Sequence, residues 1–189
     1  MKKVGLLGGT FDPPHIGHLM IAEEAYTQLA LDEIWFIPSY EPPHKEKTTT
    51  DVSQRINMVE EAIADNDHFF LDTIEVDRLG KSYTFDTIKL LNEKYSDIMF
   101  YFIIGADMVE YLPKWYRIDE LMGLIQFVGV KRPDYVLKTD FPIIGLNIPI
   151  MDISSTMIRE RVKKDQSIKY LVTPSVLRVI KEFHLYESN

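Results

Sequence analysis

The chain has 189 residues, 46% of them hydrophobic, and a formal net charge of −8, so it holds apolar mass enough for one domain's core and does not read as disordered. The acidic balance argues against a surface that coats nucleic acid, since phosphate backbones are held mainly by Lys and Arg, yet a local pocket of Lys, His and helix N-termini can still hold a small phosphorylated ligand. Cysteine is absent, which removes disulfides and thiolate zinc sites and fits a reducing, cytoplasmic setting.

Val4 to Leu7, ended by Gly8-Gly9, is predicted as a buried strand; the run is too short for a signal peptide, and no segment approaches membrane-spanning length. A helix follows, with Leu19, Ala22, Tyr26 and Leu29 at helical spacing. Ile34 to Ile37 is the second strand, stopped by Pro38, and Glu41 to Lys45 is a proline-rich loop. Asp51 with Gln54 resembles a capping box, opening a helix whose apolar face is Ile56, Val59 and Ile63. Phe69 to Val76 is predicted as a strand, Phe85 to Lys94 as a helix, and the unbroken apolar run Ile98 to Ile104 as a parallel strand covered on both faces. A short helix over Ile118 to Leu124, a strand over Gln126 to Val130, a loop over Phe141 to Pro149 and a last strand over Ile148 to Met151 complete the sheet. The tail is helical behind Pro174, with Val176, Val179, Ile180 and Phe183 on one face.

This alternation predicts an α/β fold: a Rossmann-like, open, mostly parallel sheet with right-handed crossovers and helices on both faces. Such sheets bind ligands at the strand carboxyl ends. With no repeat, low-complexity tract or linker, residues 1–189 are expected to form one domain with a helical C-terminal portion from about residue 154.

The densest chemical signal, Gly8-Gly9-Thr10-Phe11-Asp12-Pro13-Pro14-His15-Ile16-Gly17-His18, lies where the first strand meets the first helix. Glycines let the backbone approach a phosphate, and a helix N-terminus adds unpaired N–H groups and a positive dipole end. His15 and His18, three apart, share a face of the first turn, and Gly17 leaves room there for a ligand. A single histidine would read as a cap or core residue; two in this setting favour a polyphosphate site. At a second strand-to-helix junction, Ser154, Ser155 or Thr156 can cap a helix and donate to an anion, with Arg159 one turn on. Alone, that segment would read as ordinary capping. Gly105 and Asp107, at the end of the fourth strand, sit where such sheets place ligand-binding groups, although a bare aspartate there would read only as a turn or cap.

Together the two junction segments resemble the T/HxGH nucleotidyltransferase superfamily, whose marks are an HxGH loop and a downstream SSTxxR-type helix start. Within it the long form GGTFDPPHIGH, with Pro42-Pro43-His44-Lys45, Ser82-Tyr83-Thr84, Ile104-Gly105-Ala106-Asp107 and Pro113-Lys114-Trp115, resembles the bacterial nicotinate-nucleotide adenylyltransferases from Val4 to the C-terminus. The resemblance implies that ATP and nicotinate mononucleotide give nicotinate adenine dinucleotide and pyrophosphate, with Mg²⁺ bound mainly through ATP phosphates rather than by protein ligands. It implies that Gly8, Gly9, Thr10, Phe11, His15, His18, Gly105, Asp107, Ser154, Ser155 and Arg159 bind ATP, with His15, His18 and Arg159 catalytic. It implies that Thr84 and Tyr116 meet the nicotinate carboxylate and Trp115 stacks on the ring. His44, Lys45 and Arg132 are candidates for the acceptor phosphate. A homodimer is left open; nucleic acid and membrane partners are not expected.

Gly80-Lys81-Ser82 ends like a phosphate-binding P-loop, but Glu75 stands where its first glycine would be. The histidine pair lacks the glutamate of His-Glu-x-x-His and a third ligand, so zinc is rejected, and His68 and His184 are assigned to surface or packing roles. Three rivals remain: phosphopantetheine adenylyltransferase, which shares the HxGH logic in a generally shorter chain; a class I aminoacyl-tRNA synthetase, which size and the missing KMSKS segment oppose; and a nucleotide-binding regulatory module without turnover.

Overall fold

A computed structural model describes residues 1–42, 50–131, 139–149 and 151–188. In chain order it contains β1 (Lys2–Gly9), α1 (Ile16–Gln28), β2 (Glu33–Pro38), α2 (Val52–Ile63), β3 (Phe69–Leu71), α3 (Ile74–Arg78), α4 (Thr84–Lys94), β4 (Ile98–Gly105) and α5 (Ala106–Tyr111). A 3₁₀ turn at Leu112–Lys114 leads to α6 (Ile118–Leu121), β5 (Gln126–Lys131), β6 (Ile143–Asn147), α7 (Ser155–Lys163) and α8 (Pro174–Glu182). The strands form one parallel sheet in the order β3-β2-β1-β4-β5-β6. The order reverses between β1 and β4, so their carboxyl ends flank the switch point at which open α/β sheets bind ligands.

Side-chain alternation builds a core on each face of the sheet, because successive strand residues point to opposite sides. Ile34 and Phe36 of β2 enter the core covered by α1, α2, α7 and α8, while Trp35 and Ile37 enter the one covered by α4, α5 and α6. Ile103 of β4 joins the first core, and Phe100, Phe102 and Ile104 the second. That two-sided burial explains why β1, β2 and β4 read as unbroken apolar runs.

Five expectations are corrected. The strand at Phe69 stops at Leu71, and residues 74–78 form α3, whose start the Asp72 carboxylate caps by accepting from the Ile74 N–H at 2.9 Å. The last strand is Ile143–Asn147, inside the segment read as loop, and Ile148, Pro149 and Met151 lie beyond it; ladder hydrogen bonds to β5 outweigh a mixed apolar pattern. In α2 the expected Val59 and Ile63 are buried, together with Arg55, Met58 and Ala62, whereas Ile56 is only partly buried. Asp51 does cap α2, accepting from the Ser53 N–H at 2.8 Å, but Gln54 does not close a box with it: its Oε1 is buried without a partner among the described residues. Phe183 also falls outside the buried face of α8, as its C-cap, and is exposed.

Candidate active site

The turn after β1 is held in a conformation its sequence alone would not favour. Phe11 has φ 51°, a left-handed backbone that costs a bulky residue free energy and persists only where neighbours over-determine it. Three contacts do so. Arg55 Nη1 donates to the Thr10 carbonyl at 2.7 Å, Arg159 Nη1 to the Asp12 carbonyl at 2.8 Å, and the Tyr186 hydroxyl to Asp12 Oδ1 at 2.6 Å. The Phe11 ring, 1% exposed, lies beneath His18 with ring centres 5.0 Å apart, edge to face.

His15 is the N-cap of α1, and His18 is its third residue. The His15 N–H donates to His18 Nδ1 at 3.1 Å, and the two rings stack at 3.7 Å with a 28° tilt. The two rings are therefore adjacent, and at Gly17 a Cβ would lie 3.0 Å from His15 Nδ1, so the missing side chain leaves room for the imidazole. His15 is 8% exposed, and burial draws its pKa down to about 4. It is neutral at physiological pH, with Nδ1 buried. A neutral imidazole has one N–H and one lone pair to offer, so it binds an anion by hydrogen bonding rather than by charge.

α7 starts against this turn. The Ser154 side chain caps the helix by accepting from the Met157 N–H at 3.2 Å, and the Ser155 hydroxyl donates to the Pro13 carbonyl at 2.8 Å. With its hydroxyl proton so placed, Ser155 faces an anion best through its main-chain N–H, one of the first-turn groups without an intrahelical acceptor. Arg159 adds a second bond, from Nη2 to Thr156 Oγ1 at 3.3 Å. Two helix N-termini, α1 and α7, thus converge on one turn with a guanidinium and two imidazoles.

Across the switch point, Gly105 ends β4 and Asp107 is the second residue of α5; a Cβ on Gly105 would lie 2.8 Å from Asp107 Oδ1, so glycine lets that carboxylate lie back over the strand end. Phe102 joins the two halves, lining the space beside Gly8 and meeting the Trp115 ring edge-on at 6.1 Å. Trp115 also packs edge-on against Phe127 at 6.0 Å, and its indole N–H is buried without a partner among the described residues. Tyr116 is half exposed and tilts against Tyr83 at 4.9 Å, beside Thr84, the first residue of α4. The Thr84 N–H has no acceptor within the helix, which suits a carboxylate ligand. The Thr84, Trp115 and Tyr116 region is thereby gathered at one edge; His44, Lys45 and Arg132 lie outside the described residues.

Four supporting residues escaped the sequence reading. Arg55 left one legible signal, a charge on the apolar face of an amphipathic helix. Asp12 lay within the motif without an assigned role. Glu75 is buried in α3, its carboxylate accepting from the Thr87 hydroxyl at 2.8 Å and from Ser82, whose Oγ in turn accepts from the Tyr40 N–H at 3.0 Å. Burial raises its pKa. Tyr186, far along the chain, left none. Both remaining histidines behave as assigned: His68 stacks on Tyr26 at 4.4 Å, and exposed His184 meets Glu187 at 3.1 Å. Among the described residues, no three His, Asp or Glu converge as a metal cage, and no helix is long and apolar enough to cross a membrane.

Residues 6–161 match the cytidylyltransferase-like family. The chain is 52% identical to a probable nicotinate-nucleotide adenylyltransferase of Bacillus pumilus and 51% identical to the nicotinate-nucleotide adenylyltransferase of Bacillus subtilis, covering all of both partners in each case. Its structure superposes on the nicotinic acid mononucleotide adenylyltransferase of Plasmodium falciparum complexed with NaAD with a TM-score of 0.83 at 25% identity, covering 100% of this chain and 99% of that one.

Proposed function

The chain belongs to the nicotinate-nucleotide adenylyltransferase family, and from that premise we propose that it joins nicotinate mononucleotide to the adenylyl group of ATP, releasing pyrophosphate, as a step of NAD biosynthesis. The observation that supports the reading is the docking of α7 onto the turn before α1 through Ser155–Pro13 and Arg159–Asp12, which brings together two motifs more than 140 residues apart. A phosphate oxygen of the mononucleotide attacks the ATP α-phosphorus in line; the bond to the α,β-bridging oxygen breaks, and pyrophosphate leaves with that electron pair. No protein nucleophile is needed, only alignment and neutralisation of developing charge.

In this reading His18 and neutral His15 donate to the α- and β-phosphate oxygens, while Arg159 and the N–H groups opening α7 hold the terminal phosphates. Thr84 and Tyr116 receive the nicotinate carboxylate, Trp115 stacks on the ring, and His44, Lys45 and Arg132 serve the acceptor phosphate. Asp107 takes ribose hydroxyls. The site's groups are mainly donors to anions, which fits a Mg²⁺ ion carried on ATP phosphate oxygens; when bound, it would offset charge on those oxygens. The chain acts as one nucleotidyltransferase domain, supported by α7 and α8 packing into the same core as α1 and α2. Its chemistry suits the cytoplasm.

The test is pyrophosphate release from ATP and Mg²⁺ with nicotinate mononucleotide, nicotinamide mononucleotide and phosphopantetheine offered separately. Release with nicotinate mononucleotide, and the dinucleotide mass, is the expected result. Release with phosphopantetheine alone would keep the ATP site and remove the acceptor assignment.

A further inference from the structure

The last turn of the chain is built into the phosphate site. Helix α8 ends in a Schellman arrangement: His184, at φ 50°, gives its N–H to the Lys181 carbonyl at 3.4 Å, and Leu185 gives its own to the Ile180 carbonyl at 2.9 Å. That reversal packs Leu185 against the core and turns the Tyr186 hydroxyl onto Asp12 Oδ1 at 2.6 Å. Further on, Ser188 Oγ donates to the Lys163 carbonyl at 3.1 Å, fastening the tail to the end of α7.

Asp12 is 5% exposed, so its carboxylate needs both hydrogen bonds and a counter-charge. Arg55, 1% exposed, faces it as a cation while holding the Thr10 carbonyl. Tyr186 supplies the hydrogen bond. The residues on either side of left-handed Phe11 are thus held, Thr10 by Arg55 and Asp12 by Arg159 at its carbonyl and Tyr186 at its carboxylate, and the Phe11 ring supports His18. Releasing Asp12 would let Phe11 relax toward ordinary backbone angles and carry its ring from beneath the imidazole.

We infer that Tyr186 is a positioning residue for nucleotidyl transfer, acting on His18 and on the Arg159-bound Asp12 backbone through the Asp12 carboxylate. The inference rests on the assignment of His18 and Arg159 to the ATP phosphates.

In the full-length chain, Tyr186→Phe removes the hydroxyl and keeps the ring. The expected result is a fall in kcat/KM for ATP of about tenfold, as a displacement short of an ångström would give, with KM for nicotinate mononucleotide unchanged. Leu185→Ala is the control, because it loosens the same tail through packing alone and should keep kcat/KM for ATP within about twofold even if it melts earlier. Unchanged ATP kinetics in folded Tyr186→Phe, or an equal loss in Leu185→Ala, would overturn the inference. If Tyr186→Phe does not fold, Tyr186→Met, which also fills the space without a donor to Asp12, takes its place and is read against Leu185→Ala by the same two outcomes. His18→Ala separates the two readings, since normal turnover in that variant would remove the ATP assignment itself.

Discussion

His15 and His18 stack face to face at 3.7 Å, and burial around His15 holds its imidazole neutral well below the ordinary histidine range. Between pH 6.5 and about 4 an unfolded chain binds a proton at His15 that the folded chain refuses. Folding stability therefore drops as pH falls through that window, by at most about 1.4 kcal/mol per pH unit from this one group. His15→Gln should flatten the decline, read as urea midpoints from pH 7.5 to 4.5. An unchanged slope would mean that His15 titrates normally.

Gly17→Ala places a methyl 3.0 Å from His15 Nδ1, and the ring must move by a few tenths of an ångström. Turnover should fall about tenfold or more, while the melting temperature shifts little, since Ala favours the first turn of α1. A variant with full activity would show that the ring's place over Gly17 is not needed.

Arg159 makes two bonds from two nitrogens, to the Asp12 carbonyl and to Thr156. Lysine cannot reproduce that fork. Arg159→Lys should lose about 10²-fold in kcat/KM for ATP and keep its affinity for nicotinate mononucleotide; steady-state kinetics with each substrate varied in turn would reveal an equal loss for both, the contrary result.

Glu75 has a raised pKa because burial disfavours its charge, so its ionised form costs the folded state stability above the unfolded value of 4.5, and less as pH falls toward it. Glu75→Gln keeps an acceptor for Thr87 and removes that charge, so it should match or exceed wild-type stability at pH 8, with the difference closing toward pH 4.5. Glu75→Leu removes the acceptor of the Ser82 hydroxyl and leaves Thr87 only its 3.3 Å bond to the Tyr83 carbonyl, and should cost about 1–3 kcal/mol. Thermal melts of both variants across pH check the pair, and a Gln variant less stable than wild type at pH 8 would contradict it.

Trp115 packs against Phe102 and Phe127 while it is proposed to stack on the acceptor, so Trp115→Ala removes both contacts. It should lower stability by about 2–4 kcal/mol and raise KM for nicotinate mononucleotide more than KM for ATP. Trp115→Phe should recover most of the stability. Equal losses for both substrates in a folded Trp115→Ala would argue against stacking.

Much of this protein was legible without coordinates, because its strongest signals are local. β1, α1, β2, β4, β5 and α8 follow from apolar runs, glycine and proline stops and helical spacing within a few residues, and the parallel sheet follows from their alternation. Both motif segments could be read because each places its glycines, histidines or hydroxyls at a strand-to-helix junction, where backbone donors are exposed by covalent geometry alone. Where local signals were mixed, as at Phe69–Val76 and Phe141–Met151, pairing with a neighbouring strand decided the outcome, and no short window of sequence contains its partner.

Only tertiary structure could decide what holds the site in shape. Tyr186 and Asp12 are 174 residues apart, Arg159 and Asp12 147, and Arg55 and Thr10 45. Each pair is a hydrogen bond in which one member is buried and strongly polar, so its free energy depends on the water excluded around it as much as on the contact. That exclusion comes from the packing of α2, α7 and α8 on the sheet. The same burial makes His15 neutral and lets Phe11 keep a left-handed backbone, properties that belong to the residues' surroundings rather than to their names.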